Sequence, residues 1–300
     1  PASKEDLGAE ALACLVSKGL AKEWAGRAIP TKKGVEVLRE MSIRGTASTV
    51  RIYDCQKEQF IGERDEHIAM GELFPGAIYL HGGERYESEG LDLEKKIAHV
   101  RKIEVDDDEY TIALREKNAD VETVESERDV LGLNLSYGKV HVIDEIYGYN
   151  VKDYLKNTIV KRKRLDEPLC HEFDTYALWV DFPEEIVASV RNFGDGLHAV
   201  EHISIAMMPA LTGADPSELG GISYPAGRMY VYDGVPGGAG LAKISYEKFE
   251  KIMRMAYSRI DKCKCADGCP SCIFDPQCGN NNKYLSKGAG ISIFKEIFRR

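Results

Sequence analysis

Cys263-Lys264-Cys265-Ala266-Asp267-Gly268-Cys269-Pro270-Ser271-Cys272, with Cys278 six residues further on, gathers five of the eight cysteines into sixteen residues. Cys14, Cys55 and Cys170 stand alone. In a chain without an export signal, thiols crowded in this way read as metal ligands, because a reducing compartment keeps them from pairing as disulfides. Cys269-Pro270-Ser271-Cys272 is a C-x2-C knuckle. Adding Cys265 before it and Cys278 after it supplies four thiolates, the number that a closed tetrahedral Zn²⁺ site takes, with Cys263 as an alternative fourth ligand. With sulfur on every corner no position is open for catalysis, so such an ion would fold a loop-rich tail. An iron–sulfur cluster also accepts four cysteines.

Upstream of the tail, Met229–Tyr232 is a buried-strand signal. It runs through Asp233 into Gly234-Val235-Pro236-Gly237-Gly238-Ala239-Gly240 and then a helix near Ala242–Tyr257. A glycine-rich turn between strand and helix is a context for cradling phosphate. No Gly-Lys-Ser/Thr follows, however, so tight backbone packing is the favoured reason for these glycines. Helices are expected at Glu184–Phe193 and Gly196–Leu211. The second carries His198-Ala199-Val200-Glu201-His202, literally H-x-x-E-H, with both imidazoles on one helical face. A hydrolase metal site there needs a further ligand, and Glu218 or Asp215 is the nearest acid. Polar contacts within a packed helix are the favoured account.

The first forty residues read as helix, tight hairpin, helix. Ser3-Lys4-Glu5-Asp6 resembles a capping box ahead of Leu7, Ala11 and Leu15. Leu20–Trp24 and Arg27–Pro30 are extended, and Thr31 caps a second helix carrying Val35 and Leu38. That order is the pattern of a winged helix, which places Arg27, Lys32 and Lys33 where phosphate could be touched. From residue 46 the pattern turns to β, with alternation in Thr49–Tyr53 and Lys139–Ile143, and Tyr110–Leu114 reads as another strand. Turns fall at Phe74-Pro75-Gly76 and Gly82-Gly83, and one helix is expected over Leu91–Val100. Thr175–Asp181 is a further strand. The expected architecture is α+β: a winged helix over 1–45, a β-rich barrel-like domain over 46–165, and an α/β C-terminal domain over 166–300 with the four-cysteine site.

Of 300 residues, 43% are hydrophobic, enough for a packed core and too many for wholesale disorder. No apolar run is long enough to span a bilayer, so a membrane partner is not expected. The acidic opening Glu5-Asp6 is unlike a secretory leader, which makes the cytoplasm the expected location. Pro1 in place of Met points to a processed chain or a piece of a longer one. The formal net charge is −9, yet both ends are mildly basic and Lys161-Arg162-Lys163-Arg164 is the densest basic run. Binding nucleic acid requires positive surface only where phosphates lie.

Several blocks taken together resemble the C-terminal zinc-binding region of MrfA-type helicases, superfamily two DNA helicases linked to repair. They are Leu197–His202, Tyr232–Ala242, Gly268–Cys272 and Cys278-Gly279-Asn280, in that order. Pro75–Tyr86 is similar to the same family's barrel region and Arg44-Gly45 to its lead-in. The ending Asn282–Gly290 resembles the family's Pro-Leu-Asp-Lys segment, with Tyr284 and Ser286 as departures. The resemblance implies an accessory part of a 3′-to-5′ helicase, with a structural Zn²⁺, that binds single-stranded or forked DNA irrespective of sequence. It also implies partner motor domains in the same full-length protein. ATP and Mg²⁺ would belong to those motor domains, whose P-loop and acidic box this sequence does not contain. The DNA-facing candidates are Arg27, Lys32, Lys33, Arg44, Lys161, Arg162, Lys163 and Arg164.

Overall fold

A computed structural model describes residues 2–3, 9–25, 27–40, 49–103, 108–156, 158–215 and 218–299, and divides the chain at residues 47 and 48 into two units. In the first unit, β1 (Ala2–Ser3), α1 (Ala9–Ser17), β2 (Ala21–Trp24), β3 (Arg27–Pro30) and α2 (Lys32–Glu40) follow one another. The strands form an antiparallel sheet in the order β1-β3-β2. Thr31 caps α2 as expected: its hydroxyl accepts the Gly34 N–H at 3.1 Å and donates to the Gly19 carbonyl at 2.6 Å. Ser3, expected as a helix cap, lies instead in β1 opposite Arg27. The rest of that capping box falls in residues 4–8, outside the described residues.

The second unit opens with β4 (Thr49–Asp54), β5 (Gln59–Asp65), α3 (Glu66–Leu73), β6 (Ile78–His81), β7 (Glu84–Asp92) and β8 (Ile97–Lys102). The sheet order is β5-β4-β8-β7-β6, with β4 and β8 parallel and the other pairs antiparallel. Val50, Ile52, Tyr79, Tyr86, Ala98 and Val100 pack beneath Ala69 and Leu73 of α3. The helix expected over Leu91–Val100 is a turn and a strand. Asp92 accepts the Lys95 N–H at 2.8 Å, Lys96 adopts φ +56°, and from Ile97 the side chains alternate in and out of the core. Leu93 and Ile97 stand four residues apart, as on one helical face, but the Asx turn at Asp92 reverses the chain, so that Asp92 pairs with Ile97.

Three very long strands follow: β9 (Glu109–Val130), β10 (Leu133–Asp153) and β11 (Thr158–Asp181). Then come α4 (Glu184–Ser189), α5 (Phe193–Met207), α6 (Pro209–Thr212), β12 (Leu219–Tyr224), β13 (Arg228–Asp233), α7 (Leu241–Glu247), α8 (Phe249–Lys262) and α9 (Lys287–Arg299). The antiparallel order β12-β13-β11-β10-β9 makes a curled half-barrel sheet. Its register shifts beside Gly138 and Gly148, where a Cβ would lie 2.0 Å from the Thr123 carbonyl oxygen and 2.5 Å from that of Lys163. Only glycine admits a neighbouring strand that close. β11 spans residues 165 and 166, and its ladder to β10 shifts register there, with Arg164 opposite Gly148 and Leu169 opposite Ile146.

The main core is shared by one face of this sheet (Leu133, Leu135, Leu178, Val180), by α5 and α8, and by α9. Cys272 and Ile273 are part of that core, so the cysteine-rich loop is seated on it. No helix among the described residues is long and apolar enough to cross a membrane.

Candidate metal centre in the cysteine-rich tail

Four sulfurs converge after the end of α8. Cys263 lies 3.6 Å from both Cys265 and Cys269, Cys265 lies 3.5 Å from Cys272, and Cys269 lies 3.7 Å from Cys272. Thiolates about 2.3 Å from a shared zinc stand about 3.8 Å apart on a tetrahedron's edges, so the spacing fits one ion. The knuckle is built by the Cys269 carbonyl, which accepts N–H groups from Cys272 and Phe274 at 2.9 and 3.2 Å. Burial pushes the Cys272 thiol up to about 12, whereas the Cys265 N–H and then the neighbouring thiols draw Cys263 down to about 6. Four sulfurs at this distance cannot all ionise without a cation to offset their repulsion.

The fourth sulfur is Cys263, where Cys278 is the first choice on spacing alone. The loop after Cys272 turns away: Asp275 and Asn282 clamp each other through two hydrogen bonds of 2.8 Å, which carries Cys278 to α5. Its Sγ there lies 3.6 Å from His198 Nε2.

Lys287, at the start of α9, escapes a search for ligands by type. Buried to 6% exposure, its ammonium donates to the Cys263 and Cys265 carbonyls at 2.6 Å each and lies 3.5 Å from Cys265 Sγ. A cation in that position offsets part of the charge of four thiolates around a divalent ion. Ser286 caps α9, its hydroxyl accepting the Ala289 N–H at 3.2 Å.

On α5, His198 and His202 share a face, with ring centroids 4.4 Å apart. His202 Nδ1 meets the Ile273 carbonyl at 2.7 Å and His198 Nδ1 meets that of Tyr284 at 3.1 Å. Burial lowers both, His202 to about 4, with the neighbouring His198 adding to the effect there. Glu201 is raised to about 7 by burial, opposed by a hydrogen bond with Ser223. Glu218, the nearest acid that a hydrolase site would have, accepts the Asp215 N–H at 2.8 Å.

The glycine-rich turn already holds an anion of its own. Asp233 accepts N–H groups from Ala239, Gly240 and Ala242, each at 2.6 Å, so a side chain fills the cradle that phosphate would need.

Among the basic candidates, Arg27 is exposed and pairs across the hairpin with Trp24, itself 71% exposed. Lys32 is exposed, and Lys33 donates to the Lys18 carbonyl at 3.3 Å. Arg44 lies outside the described residues. Lys161, Arg162, Lys163 and Arg164 are exposed along β11, and strand alternation divides them between its two sides. Lys163 places its ammonium 5.6 Å from the centre of the Tyr149 ring, whereas Arg162 donates to Asn150 Oδ1 at 3.1 Å.

The sequence pattern of the MrfA Zn-binding domain matches residues 200–273. That span takes in the four clustered cysteines and ends before Cys278. The uncharacterised protein MJ1572.1 of Methanocaldococcus jannaschii is 38% identical over 110 residues, which are 34% of this chain and 98% of that protein. The ATP-dependent helicase YprA of Bacillus subtilis is 30% identical over 233 residues, covering 73% of this chain but 30% of YprA. A crystal structure of the DUF1998 helicase MrfA bound to DNA shares the fold, with a TM-score of 0.58 and 24% identity over 96% of this chain and 39% of MrfA. The chain thus spans less than a third of YprA and about two fifths of MrfA. By pattern and sequence, it belongs to the family of the MrfA-type helicases, carrying their Zn-binding domain and matching the C-terminal region of those longer proteins.

Proposed function

We propose that this region is the C-terminal accessory part of an ATP-dependent 3′-to-5′ DNA helicase acting in DNA repair in the cytoplasm. It holds and guides single-stranded or forked DNA, irrespective of sequence, for motor domains of the same polypeptide. ATP and Mg²⁺ act in those motor domains. Cys263, Cys265, Cys269 and Cys272 take a Zn²⁺ whose role is structural: with four sulfur ligands it has no vacant position for a substrate. The observation that carries this reading is the four-sulfur cluster inside the matched span, in a family whose member MrfA has been solved bound to DNA.

The helix, hairpin and helix of residues 1–47 act in this reading as a winged helix, with Arg27 and Trp24 on the wing and Lys32 opening the second helix. Lys161–Arg164 supply backbone contacts on the long strand. Titrating labelled single-stranded and forked DNA with the zinc-loaded chain at several salt concentrations tests the assignment. Binding to unrelated sequences alike, weakening as salt rises, is expected, because each phosphate contact releases counterions. No binding at low salt would make this region an assembly surface for the motor instead.

A further inference from the structure

We propose that His198 Nε2, His202 Nε2 and Cys278 Sγ form a second metal site, separate from the cysteine cluster, that takes one divalent transition-metal ion of the zinc class. Three observations carry it. Donor atoms of the three residues lie within 4.8 Å of one another, and none of the three belongs to the four-sulfur cluster. A nitrogen about 2.05 Å and a sulfur about 2.3 Å from one tetrahedral ion lie about 3.6 Å apart; His198 Nε2 and Cys278 Sγ are 3.6 Å apart.

Both imidazoles are also set as ligands. A carbonyl oxygen can only accept, so the Nδ1 atoms facing Ile273 and Tyr284 carry the protons. The tautomers are thereby fixed, and each Nε2 keeps its lone pair; metal-bound histidines are commonly oriented in this way by a second hydrogen bond on the other nitrogen.

Two histidines and a cysteine leave the fourth position of a tetrahedral ion to water. It would face a cavity of about 530 Å³ that the three residues line together with Glu201, Asp275 and Arg115. On binding, the Cys278 thiol loses its proton to solvent and no bond other than S–H breaks. The ion would tie α5 to the loop between Cys272 and α9. This site adds to the DNA-holding reading, and its test does not depend on DNA.

The experiment is the metal content of the whole chain, purified after growth with zinc and measured by plasma mass spectrometry. Two zinc ions per chain are expected. Cys278→Ser and His198→Gln, each checked for unchanged circular dichroism, should each retain one. A single ion in the unaltered chain overturns the proposal, as does a second ion that survives both substitutions. Should a variant unfold, Co²⁺ titration of the unaltered chain decides. A second equivalent that adds tetrahedral d–d bands, with a weaker thiolate charge-transfer band than the four-sulfur site, supports the second site. A titration that ends at one equivalent overturns it.

Discussion

Lys287 has no carboxylate partner among the described residues, yet it is almost fully buried. An isolated ammonium in such a place is costly, and two carbonyls with one sulfur offset only part of that cost. Four thiolates around Zn²⁺ leave a formal double negative charge, which makes the burial of Lys287 favourable once the metal is bound. Replacing it, Lys287→Met, should weaken zinc retention by about 10- to 100-fold, as outer-shell changes commonly do. Competition with a chromophoric chelator reads this directly; equal retention would show that Lys287 serves packing alone. Cys272→Ser should go further. It removes a ligand that is also part of the main core, so the cysteine-bound ion is lost and the tail beyond α8 becomes sensitive to protease. An equally resistant tail would rule out a folding role for the ion.

Between elements, α5 and α9 approach each other closely at Gly196. A Cβ there would lie 2.7 Å from Ala289 Cβ and 2.8 Å from its carbonyl carbon. Gly196→Ala should therefore destabilise the unit by about 1–3 kcal/mol through overpacking. Gly288→Ala, in the same helix pair but with nothing near the added methyl, should be neutral or stabilise by up to about 1 kcal/mol. Denaturant melts of the two variants separate close packing from helix propensity, and equal shifts would refute the packing account. Elements are also where the sequence discloses least. Thr175–Asp181 and Met229–Asp233 are apolar and largely buried, and both are found in strands. Residues 116–129 of β9, in contrast, have mostly exposed side chains. No apolar period marks that stretch beyond the Tyr110–Leu114 signal, and the 22-residue length of β9 comes from pairing with β10. α3 is similarly hidden, since Glu66–Leu73 is short and its buried residues include a glutamate. The cysteines are legible as a cluster, but spacing alone does not separate Cys263 from Cys278. The Asp275–Asn282 clamp makes that choice, and such a clamp becomes visible only in three dimensions.

For the whole molecule, a net charge of −9 repels DNA at long range, so any binding depends on local positive surface that is strongly salt-sensitive. β11 offers such surface on two sides. Lys161 and Lys163 line a groove with Tyr149, with Arg101, which pairs with Glu87 and Glu89, and with Lys102, which pairs with Glu84, whereas Arg162 is held by Asn150 on the other side. A backbone lying in the groove would meet these lysines rather than Arg162 and Arg164. Lys161→Glu with Lys163→Glu should then weaken binding to all sequences alike and reduce the slope of log K against log salt by about 2, one for each phosphate left unneutralised. Arg162→Glu with Arg164→Glu should change affinity less and leave the slope nearer its original value. The difference between the pairs is the informative quantity, because each adds the same charge to the same strand. If the two pairs weaken binding equally, the strand contributes only overall potential; if neither does, the DNA path lies elsewhere on the molecule.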